Sequence, residues 1–400
     1  MLITYGKTDC TPEEVGYNSK RIENVHKHFE RLINEGQIKA GAYCVSQNGK
    51  VFMHGAVSPE KVEDKYAPFK ADTVNYIASV TKIITATAIM KLVEDGKIRL
   101  DQQVGDILLE FAEKPFDDIT IFNLLTHTSG LHGDYGSYPN PYGTDQWELI
   151  GQAMHEYLDK SPEDRGEFNW IKPALKMGKY KNTWEEWCYC SFGFVLLGEI
   201  ITRVLGVNAQ DYIMGNIIKP LGMNDTAYNL TQDMASRYFI QGERDERIIN
   251  GVLNPNSVET RPYGKLWEKI PATAGGLKST VYDMTRFGNA LLHNGRFNGT
   301  RILGRKAVEK MTATAIDDIM NYCWGSSREK QYGIGCDKSL YEMYNSSEGT
   351  YYHEGAGACA LHIDPVENVV VAYFVPYKQD GWYPDATYST LNVLLSGLEK

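Results

Sequence analysis

Ser79 and Lys82 stand three residues apart in the segment Ser79-Val80-Thr81-Lys82. Serine is a weak nucleophile at neutral pH and needs a base within hydrogen-bond reach. At the start of a helix, residues three apart share one face, with their Cβ atoms about 5–6 Å from each other. The Lys82 amine can therefore reach the Ser79 hydroxyl, and the pair indicates a serine nucleophile with a lysine partner.

The residues after Lys82 predict a buried helix that ends near Gly96. Its apolar positions cover most sides and include Ile83, Ile84, Ile89, Leu92 and Val93. Burial and the positive end of the helix dipole both lower the pKa of a lysine placed there. The Ser79 N–H belongs to the first helical turn, where it can stabilise an oxyanion. The alternative, a helix-capping serine followed by a solvated lysine, fits this apolar context less well.

Composition narrows the function further. The 400 residues are 42% hydrophobic and 23% charged, which is typical of a folded globular chain with one large domain or two packed ones. The formal charge of -10 argues against general binding to nucleic acid or anionic membranes, since both require clustered Lys and Arg. We therefore expect a small-molecule or peptide substrate.

Neither a signal peptide nor a membrane span is expected. The segment Met1–Cys10 lacks a basic flank and an apolar stretch, and no later segment approaches the roughly 18 apolar residues of a spanning helix. A cytoplasmic location follows unless a leader has been removed. The seven cysteines are scattered, and Cys188-x-Cys190 has no second Cys or His pair, so buried thiols are expected rather than a disulfide framework or a metal site.

The sequence pattern predicts both helices and strands near the two ends of the chain and mainly helices in its middle. A helix is predicted over Asn18–Gly36, a hairpin over Ala40–Val45 and Lys50–Ala56, strands over Tyr351–Asp364 and Val369–Val375, and a last helix over Ala386–Leu398. Helical periodicity marks Ile119–Leu125, Trp147–Leu158, Gly193–Leu205 and Ala209–Ile218. This order predicts a discontinuous α/β (α+β) domain over 1–99 and 265–400 with a mainly helical insertion over 100–264.

Two segments rich in Tyr, Trp, Pro and Gly interrupt the helical middle. They are His132–Trp147 and Pro162–Trp187, and neither shows a clear periodicity. Long loops of this kind are uncommon unless they line a binding site. We expect surface loops that shape substrate selectivity, mainly through Tyr135–Trp147 and Trp170–Trp187.

The Ser79 segment is the first of seven motifs that are spread along nearly the whole chain. They are Ile77–Lys82 (IASVTK), Leu124–Leu131 (LLTHTSGL), Tyr189–Gly198 (YCSFGFVLLG), Pro220–Met223 (PLGM), Ala274–Thr280 (AGGLKST), Tyr332–Gly335 (YGIG) and His353–Gly357 (HEGAG). In type and order they resemble the β-lactamase-related serine hydrolases, the family of class C β-lactamases, low-molecular-weight penicillin-binding proteins, D-aminopeptidases and related esterases. The resemblance implies a β-lactamase/penicillin-binding-protein-like fold, with an antiparallel sheet flanked by helices and an all-helical subdomain.

The same resemblance implies further site residues. Tyr189 would exchange the proton with Ser79, its phenol activated by the Lys82 ammonium. The segment at His353 aligns with the family's substrate-binding strand, where strand alternation turns His353 and Gly355 toward the pocket. Ala356 would then supply a second oxyanion N–H beside that of Ser79.

Two positions depart from the family pattern. Ser191 stands where asparagine is usual, which removes an amide that binds the carbonyl of a substrate amide. His353 stands where β-lactamases carry lysine, so the charge that would hold a β-lactam carboxylate is weak or absent at neutral pH. His127 is interpreted as a structural turn after a helix, not as part of a Ser-His-Asp triad, and Asp283 as an anchoring carboxylate at a helix start.

The function expected is hydrolysis of esters or small amides through an acyl-enzyme on Ser79, with no cofactor. A D-amino-acid-specific peptidase, a DD-peptidase or a weak β-lactamase is the alternative within the same family. A non-catalytic sensor that is acylated but does not turn over is the alternative of another class. The sequence leaves the natural substrate and the oligomeric state open.

Overall fold

The strands of the main sheet come from the two ends of the chain. The computed structural model describes residues 1–60, 68–140, 142–240, 245, 246, 249, 250, 252, 262–338, 344–378 and 384–399. The strands of these residues are β1 (Leu2–Tyr5), β2 (Gly41–Gln47), β3 (Lys50–Ser58), β4 (Asn75–Tyr76), β5 (Lys278–Ser279), β6 (Arg296–Phe297), β7 (Thr300–Arg301), β8 (Ile316–Asn321), β9 (Arg328–Tyr332), β10 (Asp337–Lys338), β11 (Tyr351–Gly355), β12 (Cys359–Asp364) and β13 (Val369–Phe374). Nine of them form one sheet in the order β1-β3-β2-β13-β12-β11-β10-β9-β8.

Every pairing in this sheet is antiparallel. Its centre joins β2 from the start of the chain to β13 from the end, with Val45 opposite Val371. The sheet therefore depends on a long-range pairing between the two terminal parts of the chain.

Helices occupy the intervening chain and both faces of the sheet. Within the described ranges they are α1 (Ile22–Asn34), α2 (Thr81–Glu94), α3 (Ile121–Thr126), α4 (Gln146–Asp159), α5 (Ile171–Leu175), α6 (Ser191–Leu205), α7 (Ala209–Ile213), α8 (Gln232–Ser236), α9 (Pro262–Trp267), α10 (Val281–Leu292), α11 (Arg305–Thr312) and α12 (Thr390–Leu395). Wider π-helical turns over Met214–Ile218 and Asp385–Ser389 lead on from α7 and into α12. The predicted antiparallel sheet flanked by helices is confirmed.

The first predicted helix and hairpin are both present. Helix α1 is followed by Gly36 with φ of +74°, the left-handed position that commonly ends a helix. Strands β2 and β3 are joined by Asn48 and Gly49, whose φ values of +50° and +79° match the tight turn predicted from Asn-Gly.

Each face of the sheet is covered by different helices. Helix α1 packs against β3 and α12 on one face, and α10 packs against β2, β12 and β13 on the other. At Gly288 in α10 an added Cβ would overlap the Val370 side chain, so this helix lies close to the sheet. Asp283 near the start of α10 accepts hydrogen bonds from the Asp225 N–H (2.8 Å) and the Thr226 hydroxyl (2.9 Å), which fits an anchoring carboxylate.

Helix α2 is buried along almost its whole length. It packs against α6, α7 and α11, and the turn before it packs against β11 and β12. This burial explains its lack of a polar face and places its first residues between the sheet and the helical middle.

The predicted boundary near 264 follows residues 253–261, which lie outside the described residues, and the division into 1–99, 100–264 and 265–400 stays a prediction.

One of the two predicted loops is more ordered than expected. The segment Pro162–Trp187 contains α5, and the side chains of Trp170 and Trp187 are 5% and 1% exposed. These tryptophans were predicted to lie on a surface loop because periodicity alone cannot show that an aromatic residue packs inward. Residue 141 of the other loop lies outside the described residues.

No single helix among the described residues is long and apolar enough to cross a membrane. One bent pair, Ser191–Leu205 with Ala209–Ile218, passes the same criterion by length and composition only.

Candidate active site

Ser79 lies in a tight turn that leads directly into α2. The turn spans Ala78–Val80, and Ala78 has φ of +41°, in the left-handed region that non-glycine residues rarely adopt. Ser79 itself is half-buried, while its neighbours Ala78 and Val80 are buried. A strained turn of this kind, held by its surroundings, is frequent at functional sites.

Lys82 reaches back from the first turn of α2 to Ser79. Its Nζ donates hydrogen bonds to the Ser79 Oγ (2.9 Å) and to the Ala274 carbonyl oxygen (2.9 Å), and the side chain is 0% exposed. Burial lowers the pKa of Lys82 from its usual value to about 8, although the negative charge of Asp134 acts in the opposite direction. The structure thus brings Ser79 and Lys82 together and gives the amine a pKa close to neutrality.

Tyr189 enters the same site from the segment before α6. The Lys82 Nζ lies 4.8 Å from the centre of its ring, and a side-chain interaction with Ser79 acts to lower its pKa. Burial, with the nearby charge of Asp134, raises the pKa of Tyr189 well above its usual value. This differs from the expectation of a phenol activated by an ammonium, because desolvation favours neutral forms and shifts the pKa of Lys82 down and that of Tyr189 up.

His127 holds the segment that carries Tyr189. Its carbonyl oxygen accepts from the Cys188 N–H (3.0 Å), its Nδ1 accepts from the Cys190 N–H (3.0 Å), and its ring centre lies 4.6 Å from that of Tyr189. His127 follows α3 with φ of +58°, and burial lowers its pKa well below the usual value. These contacts fit the structural turn expected for His127.

Strand β11 lies against the turn that carries Ser79. A Cβ at Gly355 would overlap the Ile77 carbonyl oxygen and lie 3.2 Å from the Ala78 Cβ, so only glycine permits this approach. The next residue, Ala356, is exposed just beyond the end of the strand. The geometry places Gly355 on the face of β11 that the alternation predicted.

His353 shares that face and is neutral. Its Nδ1 donates to the Glu354 carbonyl oxygen (2.7 Å), and its ring centre is 6.5 Å from that of Tyr189. Burial and the charge of Lys82 lower the pKa of His353 to about 3. Its Nε2 is therefore an acceptor, and it is buried without a hydrogen-bond partner among the described residues.

Glu354 points to the opposite side of the sheet. It is paired across β11 and β12 with Ala360, and burial together with the charge of Asp337 raises its pKa to about 7. Strand β11 therefore places the Glu354 carboxyl on the face opposite to the one that carries His353 and Gly355.

Ser191 is engaged by a carboxylate that the sequence did not single out. Its N–H donates to Asp134 Oδ1 (2.7 Å) and its hydroxyl to Asp134 Oδ2 (2.5 Å). The Asp134 N–H in turn donates to the Tyr189 carbonyl oxygen (2.9 Å). Asp134 is thus bonded to both ends of the segment Tyr189–Ser191, and the Ser191 hydroxyl proton is already committed.

Trp324 is a second residue missed by the sequence analysis. It lies in the turn between β8 and β9 with φ of +53°, its side chain is 63% exposed, and its ring centre is 5.2 Å from that of Tyr189. Asp134 lies in the loop His132–Trp147, which was expected to line the substrate site, and this position was a signal of its role. No sequence pattern marked Trp324, because β8 and β9 were not predicted.

Comparison with known proteins identifies the family. The model of the family described as Beta-lactamase matches residues 25–391. The chain belongs to the Beta-lactamase family. This family consists of serine hydrolases that include esterases and peptidases, so the grouping of Ser79, Lys82 and Tyr189 lies in a fold that hosts this chemistry.

Proteins similar to this chain differ in the activities that their names give. An N-acetylmuramyl-L-alanine amidase of Bacillus subtilis (strain 168) is 24% identical over 391 residues, which cover 92% of this chain and 83% of that protein. A penicillin-binding protein homologue from Caulobacter crescentus has a TM-score of 0.71 at 20% identity, with 100% of both chains covered. A family VIII carboxylesterase has a TM-score of 0.69 at 16% identity, covering 99% of each chain. The predicted β-lactamase/penicillin-binding-protein-like fold is confirmed.

Proposed function

We propose that this protein hydrolyses esters or small amides through an acyl-enzyme on Ser79. The observation that carries the proposal is the 2.9 Å contact between the Lys82 Nζ and the Ser79 Oγ, made by an amine that is fully buried. A lysine whose pKa is lowered to about 8 is present in part as the neutral amine near pH 7–8. Such an amine can accept a proton, which an ordinary surface lysine at this pH cannot do.

In the acylation step, neutral Lys82 takes the proton of the Ser79 hydroxyl while Oγ attacks the substrate carbonyl carbon. The carbonyl π electrons move to oxygen and form a tetrahedral oxyanion, which the N–H groups of Ser79 and Ala356 would stabilise. The position of Gly355 against Ala78 supports this assignment, because it brings the end of β11 beside the Ser79 turn.

Tyr189 is assigned the return of a proton. Its hydroxyl stays protonated at neutral pH, and the Lys82 amine that contacts Ser79 lies over its ring. When the tetrahedral intermediate collapses, the phenol protonates the leaving oxygen or nitrogen, and the Lys82 ammonium restores the phenol proton. Water then attacks the acyl-enzyme while Lys82 accepts a water proton. When the second tetrahedral intermediate collapses, the Lys82 ammonium returns that proton to the Ser79 Oγ, and the acid and the free serine are released.

Two residues support esters or small amides over β-lactams. His353 is uncharged at neutral pH because of burial, so it offers no cation to a β-lactam carboxylate. Ser191 donates its hydroxyl to Asp134 and lacks the amide of asparagine. The amidase among the relatives favours small amides as the second candidate substrate class.

The test is a panel of p-nitrophenyl esters, D- and L-amino-acid p-nitroanilides and a chromogenic cephalosporin. It compares the wild type, Ser79→Ala and the control Ser161→Ala, which alters an exposed serine. We expect ester or anilide turnover that Ser79→Ala lowers by at least about a thousandfold and that the control retains. Unchanged hydrolysis in Ser79→Ala would refute the proposal. A burst without steady-state turnover on every substrate would indicate the acylated sensor instead.

A further inference from the structure

We propose that Asp134, together with the exposed face of Trp324 and the free Nε2 of His353, binds a positively charged group of the substrate. The inference rests on the proposed function and specifies its substrate class: esters or amides that carry an ammonium group near the scissile carbonyl. Amino-acid esters and amides with a free α-amino group are the simplest members of this class.

Asp134 is fixed beside the reacting groups by neutral donors only. Its two carboxylate oxygens accept from the N–H and the hydroxyl of Ser191, at 2.7 and 2.5 Å, and its own N–H donates to the Tyr189 carbonyl oxygen. No Lys, Arg or His of the described ranges forms an ion pair with this carboxylate. A carboxylate can accept about four hydrogen bonds, so each oxygen retains capacity for a cationic donor.

The charge of Asp134 acts at the site itself. The Asp134 charge raises the pKa of Lys82, which burial lowers, and it raises the pKa of Tyr189, which burial also raises. Among the nearby charges, it has the largest effect on each residue. With Lys82 in its neutral, proton-accepting form and with His353 uncharged, Asp134 leaves a net negative charge here, because the nearby Lys330 and Asp337 are paired with each other. The competent site therefore attracts cations and repels anions such as carboxylates.

Trp324 supplies an aromatic wall that is joined to the Asp134 turn. The Trp324 N–H donates to the Ser137 carbonyl oxygen (2.7 Å), and the N–H and hydroxyl of Ser137 donate to the Asp134 carbonyl oxygen (2.9 and 2.6 Å). The indole is 63% exposed while its ring centre is 5.2 Å from that of Tyr189. A cation is attracted to the face of a tryptophan, and a bulky residue at φ of +53° indicates a conformation retained at some cost.

His353 adds an unsatisfied acceptor from the strand side. The residue is 4% exposed, and its Nδ1 proton is used by the Glu354 carbonyl oxygen, which leaves Nε2 as a buried lone pair without a partner among the described residues. A buried acceptor that stays unpaired is costly. An N–H donor of the substrate would satisfy it. Carboxylate, indole face and imidazole Nε2 all complement a cationic N–H group.

The experiment measures kcat/KM for pairs of closely related substrates in which one member carries an ammonium group and the other is uncharged. Alanine p-nitroanilide and its N-acetyl derivative, each as D and L forms, place the charge in the acyl part. S-2-(Dimethylamino)ethyl thioacetate, which is protonated at neutral pH, and its uncharged S-3-methylbutyl analogue place the cationic N–H in the leaving group. We expect the wild type to prefer the charged member of at least one pair by about 10- to 100-fold, the range of a charge-assisted hydrogen bond.

Asp134→Asn keeps the shape and removes the charge, and we expect it to abolish this preference. Asp211→Asn, which removes one exposed acidic charge from α7, is the matched control and should keep the preference. Trp324→Leu should lower the preference by about two- to fivefold, and Trp324→Phe should restore most of it. These exposed variants keep the test decisive even if Asp134→Asn fails to fold, which thermal unfolding would reveal.

The possible results distinguish a failure of the cation site from a failure of the proposed hydrolase activity. Turnover that depends on Ser79 but shows no charge preference, or a preference that Asp134→Asn and Trp324→Leu leave unchanged, overturns the cation site alone. No Ser79-dependent turnover of any substrate overturns the proposed hydrolase and the cation site together.

Discussion

The buried centre of the site and its exposed rim obey different physical rules. Lys82 and Tyr189 are 0% and 8% exposed, and burial shifts the pKa of each toward the neutral form. Trp324 is 63% exposed and Asp134 is half-buried, so water reaches both of these groups. Under the proposed function, desolvation in the centre would set proton transfer, whereas groups on the rim would set the charge preference. Centre variants should lower turnover of every substrate, and rim variants should change the ratio between substrates.

The largest effect is expected from Lys82→Met, which keeps the volume of the side chain and removes the amine. Loss of the base should lower kcat/KM on all substrates by about 10³–10⁴-fold. Rates of acylation and of steady-state turnover would both be measured. Lys91→Met, on the same helix but near its other end, is the control. Turnover within about tenfold of wild type in Lys82→Met would contradict the assignment of Lys82 as the base that accepts the Ser79 proton.

Tyr189→Phe should have a smaller effect that depends on the leaving group. An aniline must be protonated as it departs, whereas p-nitrophenolate leaves readily without a proton. We expect a loss of about 100-fold or more on anilides and of about tenfold on p-nitrophenyl esters. The measurement is the ratio of the two losses for one acyl group. Equal losses on both substrates would argue that Tyr189 only packs against Lys82.

Gly355→Ala tests the contact between β11 and the Ser79 turn. The added methyl would overlap the Ile77 carbonyl oxygen, so strand and turn must separate. A shift of about 1 Å can lower activity by about 100-fold, and overpacking should cost about 1–3 kcal/mol of unfolding free energy. Gly166→Ala is the control, because a Cβ there meets open space. Full activity in Gly355→Ala would contradict the close approach.

The smallest effect is the pH dependence of the wild type. Lys82 must be neutral to accept the Ser79 proton, and its pKa is lowered to about 8. The value of kcat/KM should therefore rise by about tenfold from pH 7 to pH 9 and then level off. His353, with its pKa lowered to about 3, should add no transition between pH 5 and pH 8. Activity that falls as pH rises through 8 would reverse the proposed roles.

Much of the centre could be predicted because its signals are local or periodic. The spacing of Ser79 and Lys82 on one helical face predicts the contact of 2.9 Å that the structure shows. Strand alternation predicts the shared face of His353 and Gly355. Tyr189 is different, since only the resemblance to a family joined it to Ser79 across more than a hundred residues. The direction of its pKa could not be predicted, because it depends on burial by the folded surroundings.

The rim was predicted least well. Asp134 belongs to a loop without periodicity, and its hydrogen bonds to Ser191 depend on how that loop folds back. Trp324 follows β8, whose residues Ile316–Asn321 carry adjacent exposed acids, and the pairing of β8 with β9 is irregular between Ile316 and Ile319. That irregularity removes the alternation by which a strand is predicted.

Active-site labelling tests the central claim most directly. A fluorophosphonate would be added to the wild type and to Ser79→Ala, and intact mass would be followed by mapping of the labelled peptide. The account predicts one adduct on the wild type, located on Ser79, and none on the variant. An adduct of equal yield on Ser79→Ala, or one on a peptide without Ser79, would contradict it.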